Sequence, residues 1–185
     1  MSLERYPVEV HFPNLDAYAE GNTGVPYLYT FDSGLPGNHT MINALTHGNE
    51  VCGAIAVKEM LDAGWRPRRG RVTFSFANVD AYQRWDPEVP DASRFVDQDL
   101  NSVWEPATLD DLSKDSAELR RARAMRPIVD TVDFLLDLHS MHERSAPLNL
   151  CGPLEKGIVL ARRLGVPALI ISDTGHSEGR RLRDY

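Results

Sequence analysis

The feature that most constrains the fold is the alternation of short strand-like segments with helical patterns along the 185 residues. Residues 25–31 and 71–79 are rich in β-branched and aromatic side chains, which favours strands. Residues 50–63 instead repeat apolar side chains at helical spacing and precede Gly64, a typical helix end. Strands separated by helices predict an α/β fold, with a mostly parallel sheet and helices on both faces.

Further segments extend the same pattern. Strands are predicted over residues 40–45, 132–138 and 166–171, and helices over residues 116–128 and 154–164. Residues 81–101 contain several Pro and Asp residues and predict a long loop, a kind of segment that is often functional in compact domains. The chain length suits one α/β domain.

Composition and charge exclude several function classes. The formal net charge of -7 argues against a nucleic-acid partner, because such proteins need a basic surface. No apolar run reaches the ~18 residues of a membrane span, and the first residues lack the apolar core of a signal peptide. We therefore expect a cytoplasmic protein without a membrane partner. Cys52 and Cys151 are too few for a disulfide framework and are predicted to be buried thiols.

A candidate metal site begins in the segment Thr46–Glu50, which lies between a predicted strand and a predicted helix. His47 and Glu50 are three residues apart, so a turn entering a helix places both side chains on one side. An imidazole and a carboxylate suit Zn²⁺. His139 ends another predicted strand, and the carboxyl ends of neighbouring parallel strands converge. The prediction is a zinc site of two histidines and one carboxylate, with an open fourth position for water.

Other interpretations of these residues stay open. His47 and Glu50 can also form an ordinary solvated pair, and His142 competes with His139 as the third ligand. Three further histidines lack a comparable context and are expected at the surface, namely His11, His39 and His176.

A third group lies in the predicted loop, where residues 94–101 read RFVDQDLN. An arginine, an aspartate and an asparagine in this pattern can polarise a carbonyl, orient a ligand and hold a substrate. The alternative is a solvated loop with an incidental arginine.

Together these segments resemble the succinylglutamate desuccinylase/aspartoacylase family, relatives of the zinc carboxypeptidases. The matching pieces are THGNE at residues 46–50, the pattern R-[FY]-x-D-x-D-L-N at residues 94–101, and DLHS at residues 137–140. They occur in the family's order, and the resemblance spans residues 25 to 175. It implies a zinc-carboxypeptidase-like α/β fold with a mixed sheet, and a zinc-dependent hydrolase that cleaves amide bonds.

The resemblance also implies roles for single residues. It makes His47, Glu50 and His139 the ligands of one zinc ion. Arg94 matches the arginine that polarises the scissile carbonyl. Asp99 matches a carboxylate that orients the first zinc histidine, and such a bond fixes the tautomer of the ring.

The substrate end of the site departs from the family pattern. Asn101 matches a residue that contacts the substrate carboxylate, but the pattern D-L-N-R continues here with Ser102. A serine hydroxyl cannot replace a bidentate charged donor. This predicts weak recognition of N-acetylaspartate or succinylglutamate, unless another arginine such as Arg84 or Arg144 takes over.

The family's general base is a glutamate on a later strand, and no such strand is predicted after residue 171. Glu178 lies in a polar loop that does not match this context. We therefore expect residues 1–185 to form a single catalytic domain whose base and small C-terminal β domain lie beyond residue 185.

The expected reaction is zinc-assisted hydrolysis of an N-acylated amino acid or a related small amide. The alternatives are a non-catalytic zinc-binding or sensory module and a carboxypeptidase-like peptidase. A Rossmann nucleotide-binding domain is disfavoured, because residues 32–37 do not match G-x-G-x-x-G. The sequence leaves the oligomeric state open, a homo-oligomer included.

Overall fold

The structure is a computed structural model that describes residues 10–141, 144–174 and 179–185. Its strands are β1 (Leu28–Asp32), β2 (His39–Ala44), β3 (Arg71–Phe76), β4 (Phe134–Leu138), β5 (Leu148–Leu150) and β6 (Leu169–Ile171). Its α-helices are α1 (Val51–Asp62), α2 (Val79–Tyr82), α3 (Pro106–Asp110), α4 (Ala117–Val129) and α5 (Glu155–Leu164). Three residues named above, His142, His176 and Glu178, lie outside the described residues.

Four of the strands form one sheet in the order β1-β3-β2-β4. β2 pairs in parallel with both β3 and β4, whereas β1 pairs antiparallel with β3 at the edge. β5 and β6 form a separate parallel pair. The prediction of an α/β fold with a mixed, mostly parallel sheet is confirmed.

Helices pack on both faces of the four-stranded sheet, as predicted. On one face, Ala54 of α1 packs in a buried cluster with Phe74 of β3. On the other face, Met125 of α4 packs in a second buried cluster with Met41 of β2. Burial of these apolar side chains is the main force that fixes the two helices on the sheet.

The register of the sheet determines where the candidate site can form. Ala44 at the end of β2 pairs with Leu138 at the end of β4. The segment that follows β2 and the segment that follows β4 therefore leave the sheet side by side. This places residues 46–50 next to residue 139.

Some predictions need correction. His39 is buried, not exposed, because it starts the central strand β2, where its ring contacts Thr73 and Thr131. Cys151 is buried as predicted, but Cys52, in the first turn of α1, is exposed. The predicted loop over residues 81–101 contains the end of α2 and two short 3₁₀ turns, and neither α3 nor β5 was predicted.

Within the described ranges, no helix is both long and apolar enough to cross a membrane.

Candidate metal centre

The structure brings His47, Glu50 and His139 together at the carboxyl end of the sheet. One ligand atom from each residue lies within 4.8 Å of the others. His47 Nδ1 lies 2.8 Å from Glu50 Oε1, and His139 Nδ1 lies 2.7 Å from Glu50 Oε2. The glutamate therefore sits between two imidazole rings, each of which presents the same nitrogen to it.

Local backbone geometry aims the His47 segment into this centre. Leu45, which links β2 to the segment, has a φ of 59°, a left-handed conformation that is strained for leucine. Gly48 is in close contact with the chain that leads to Arg94, because a Cβ at Gly48 would lie 2.3 Å from the Ser93 carbonyl oxygen. The Gly48 N–H also donates to the Arg94 carbonyl oxygen at 3.0 Å. A glycine is thus needed here for the predicted loop to reach the site.

Each histidine is held from behind by a second carboxylate. His47 Nε2 lies 3.0 Å from Asp99 Oδ1, and His139 Nε2 lies 2.8 Å from Asp137 Oδ2. Asp137 in turn accepts hydrogen bonds from Asn43 at 2.8 Å and from the Thr46 hydroxyl at 2.9 Å. These contacts fix both rings with Nδ1 facing Glu50.

The charges of the centre follow from these contacts. Burial lowers the pKa of both histidines, but the hydrogen bonds and charges of their carboxylate partners outweigh burial, so both pKa values are raised, that of His139 well above its usual value. Burial favours a higher pKa for Glu50, yet the two rings hold the pKa of that carboxyl far below its usual range. In the metal-free protein, both histidines therefore keep their charged form, in which Nδ1–H donates to ionised Glu50, up to a higher pH than an ordinary histidine does.

This arrangement passes a chemical test for a metal site. If each Nε2–H donates to its carboxylate, a neutral ring turns the Nδ1 lone pair towards Glu50. Each Nδ1 would then be an acceptor that lies 2.7–2.8 Å from a Glu50 oxygen, which is also an acceptor. Such a pair needs a cation between its atoms, either a proton on each ring or one metal ion that all three residues share. The donor set of two histidines and one carboxylate suits Zn²⁺.

The centre is also open on one side. The side chains of His47 and Glu50 are 4% and 6% exposed, whereas that of His139 is 30% exposed. A structural zinc site is closed by four protein ligands, while a catalytic site has three and keeps an accessible position. The partial exposure of His139 is typical of a catalytic site.

Arg94 lies beside the centre. Its guanidinium donates from Nη1 to Glu50 Oε1 at 2.9 Å, and its Nη2 lies 3.0 Å from His47 Nε2 and 3.9 Å from Asp99 Oδ2. His47 Nε2 cannot both donate to Asp99 and accept from Arg94. The raised pKa of His47 favours donation to Asp99, so Arg94 contributes its hydrogen bond to Glu50.

Two other predicted site residues lie next to Asp99 in a 3₁₀ turn at Leu100–Ser102. The Asn101 backbone N–H donates to Asp99 Oδ1 at 2.7 Å and so helps to hold that carboxylate. In the described part of the chain, no hydrogen bond joins the side chain of Asn101 or Ser102 to the centre.

Sequence reasoning missed the residues that support the centre from outside. Asp137 was part of the DLHS motif, but no role was given to it. Side chains two residues apart on an extended chain point to the same side, and this signal could have paired Asp137 with His139. No comparable sequence signal marks Asn43, which lies opposite Asp137 because β2 pairs with β4 in this register.

The fold and this geometry define an α/β protein with a candidate metal centre at the carboxyl end of its sheet. The family model for the succinylglutamate desuccinylase/aspartoacylase catalytic domain matches residues 36–181, most of the chain. The chain therefore belongs to this family, whose members are hydrolases that act on N-acyl amino acids. No curated protein gives a significant match.

Solved structures show the same fold. An aspartoacylase family protein from Mesorhizobium loti is 23% identical with a TM-score of 0.64, over 85% of this chain and 50% of that protein. The succinylglutamate desuccinylase from Chromobacterium violaceum is 18% identical with a TM-score of 0.56, over 84% and 51%. Murine aminoacylase 3 is 22% identical with a TM-score of 0.60, over 80% and 52%. The chain thus spans about half the length of these proteins.

Proposed function

We propose that this protein is a zinc-dependent amide hydrolase that removes the acyl group from an N-acylated amino acid or a related small amide. The observation that carries the proposal is the pair of Nδ1 atoms of His47 and His139 that face Glu50 while separate carboxylates hold both Nε2 atoms. Membership of the deacylase family supports the reaction class. The names of two similar structures, a succinylglutamate desuccinylase and an aminoacylase, support an acylated substrate.

His47, Glu50 and His139 would hold one zinc ion. When bound there, zinc supplies Lewis acidity, which makes water a better nucleophile near neutral pH and polarises a carbonyl group. Asp99 and Asp137 keep each Nε2 protonated and each Nδ1 free to bind the metal. Because the centre opens beside His139, a small substrate reaches it from that side.

Arg94 would act on the substrate carbonyl. Its side chain is 27% exposed and already donates a hydrogen bond within the centre. A charged donor beside the reacting carbonyl stabilises the negative charge that develops on its oxygen during attack. Among the described residues, three carboxylates that adjoin the centre, those of Glu50, Asp99 and Asp137, are bound to histidines. We therefore propose that a carboxylate outside this cluster takes the proton of the attacking water and passes it to the leaving amine.

The far end of the substrate would lie near Asn101 and Ser102. The uncharged Ser102 predicts weaker selection for a substrate carboxylate than a bidentate arginine gives. We further propose that residues 1–185 belong to one catalytic domain of a cytoplasmic protein that binds no nucleic acid. The net charge of -7 supports the last point.

The experiment that tests the proposal measures release of free amino acid by the purified, zinc-loaded complete gene product. The substrates are a panel of N-acetyl and N-succinyl amino acids. The ligand variant His47→Ala is compared with the wild type and with the control variant His11→Ala. We expect hydrolysis by the wild type and by His11→Ala, since His11 is exposed, and loss of more than 100-fold in His47→Ala. Zinc binding without hydrolysis of any amide would contradict the proposal and favour a sensory or storage role for the metal.

A non-catalytic zinc module is the second candidate, and Ser102 favours it, because a residue type that matters for substrate binding in the family is changed. A peptidase is distinguished in the same experiment by short peptides with a free amino terminus. Cleavage of those peptides in preference to N-acyl amino acids would identify a carboxypeptidase-like enzyme.

A further inference from the structure

Glu118 is a buried glutamate whose contacts join helix α4 to the loop beside the candidate metal centre. It lies in the first turn of α4 and is 0% exposed. Three consecutive backbone N–H groups of the loop donate to its carboxylate, those of Val96 at 2.6 Å and of Asp97 and Gln98 at 3.1 Å. An ordinary surface acid in a first helical turn makes no such contacts.

The loop also returns hydrogen bonds to the start of the helix. Asp97 Oδ2 accepts from the Ala117 N–H at 2.7 Å, and Gln98 Nε2 donates to the Ser116 hydroxyl at 2.6 Å. Helix and loop are thus held together in both directions. We call the contacts of Glu118 with residues 96–98 the loop clamp.

The clamp lies between the two loop residues that touch the metal centre. Arg94 precedes the clamped amides by two residues and donates to Glu50, and Asp99 follows them directly and contacts His47. The backbone positions of both residues therefore depend on where residues 96–98 are held.

A second connection joins Glu118 to the sheet. Asn78 Nδ2 donates to Glu118 Oε1 at 3.0 Å, and the Asn78 backbone N–H donates to the Leu45 carbonyl oxygen at 2.8 Å. Leu45 is two residues before His47. One buried carboxylate thus fixes the loop with Asp99 relative to the strand end with His47.

We propose that Glu118 is a positioning residue for the metal centre, which acts by holding Asp99 at hydrogen-bond distance from His47. A carboxylate has two acceptor oxygens and no donor, which matches four N–H groups in a buried site. The inference rests on the proposed function for its zinc readout, but the clamp itself is observable without metal.

The test is Glu118→Gln, which keeps the shape but replaces one acceptor oxygen by an NH₂ group. The NH₂ group is a donor and cannot accept from the backbone N–H groups that it would face, so loop amides are left unpaired. We expect amide exchange of residues 96–98 to rise at least 10-fold, measured by NMR or mass spectrometry. We expect the zinc Kd to rise about 10-fold, within the range seen when the carboxylate behind a metal-bound histidine is lost.

Two comparisons separate positioning from a purely structural role. Met125→Ala truncates a fully buried residue on the same helix and should lower the Tm without changing the zinc Kd of the folded protein. In the background of Asp99→Ala, Glu118→Gln should add little to the zinc Kd, because residues that act through one another are not additive. Glu118→Asp, which keeps the charge on a shorter side chain, is the second variant if Glu118→Gln does not fold.

The inference is overturned if Glu118→Gln or Glu118→Asp lowers the Tm but leaves the zinc Kd of the folded protein unchanged, or if its effect adds fully to that of Asp99→Ala. If the wild type binds no zinc, the proposed function fails, and the ¹⁵N NMR chemical shift of His47 Nε2 then tests whether Glu118 positions Asp99. That shift should change alike in Asp99→Ala and Glu118→Gln and stay constant in Met125→Ala. An unchanged shift in Glu118→Gln would then overturn the inference separately.

Discussion

The contact between Asp99 and His47 gives the sharpest prediction for a single side chain. In Asp99→Ala, the His47 ring loses its partner at 3.0 Å, and the Asn101 N–H loses an acceptor at 2.7 Å. Loss of the carboxylate behind a metal-bound histidine costs about 10- to 100-fold in metal affinity, or ~1.4–2.7 kcal/mol. Asp99 is 27% exposed, so water can partly replace it, and we expect the lower part of this range, ~10- to 30-fold.

The assay is competition with a chromophoric chelator, which gives the zinc Kd of the folded protein. Asp86→Ala is the matched control, since Asp86 is an exposed aspartate in the same region whose side chain accepts a local hydrogen bond from the Glu88 N–H. We expect no change in the zinc Kd of Asp86→Ala. Equal Kd values for wild type and Asp99→Ala, with both folded, would refute the orienting role of Asp99.

Three further predictions test other parts of the site. Because the pKa values of His47 and His139 are raised above the ordinary 6.5, zinc must displace protons from both rings at a higher pH than it would from ordinary histidines. The zinc affinity should therefore already fall as the pH is lowered towards 6.5, and a chelator titration that is flat down to that pH would contradict the assigned ligands. Gly48→Ala should destabilise the protein by ~1–3 kcal/mol in chemical denaturation and weaken zinc binding, because the new Cβ meets backbone atoms at 2.3–2.5 Å. An unchanged denaturation midpoint would show that the close contact of Gly48 with this backbone is not required. Ser102→Arg should raise kcat/KM for an N-acyl dicarboxylic substrate by about 10- to 150-fold and leave kcat/KM for a neutral amide of similar size nearly unchanged. If the wild type already strongly prefers the dicarboxylic substrate and Ser102→Arg lowers that preference, another arginine binds the substrate carboxylate.

The sequence was most informative where a local pattern was enough. The run of apolar residues in β2 and the helical spacing in α1 predicted both elements within two residues of their ends. The predicted strand ends place His47 just after β2 and His139 just after β4. Because β2 and β4 are parallel neighbours in the structure, these two residues lie close together.

The contacts that the sequence did not reveal join residues far apart in the chain. Glu118 is 20 residues or more from the loop amides that it binds, and in sequence it is an ordinary first-turn acid. His39 was expected at the surface, because a lone histidine gives no sign that the central strand begins there. Such pairings depend on which elements pack together, and this is fixed by the three-dimensional arrangement of the core.

The measurement that tests the central claim most directly is the zinc content of the purified protein, by elemental analysis, for the wild type, His47→Ala and His139→Ala. The exposed His11 provides the control variant His11→Ala. We predict about one zinc per chain in the wild type and in His11→Ala, and almost none in the two ligand variants, because two remaining protein ligands hold the ion too weakly. Stoichiometric zinc in both His47→Ala and His139→Ala would contradict the assignment of the centre.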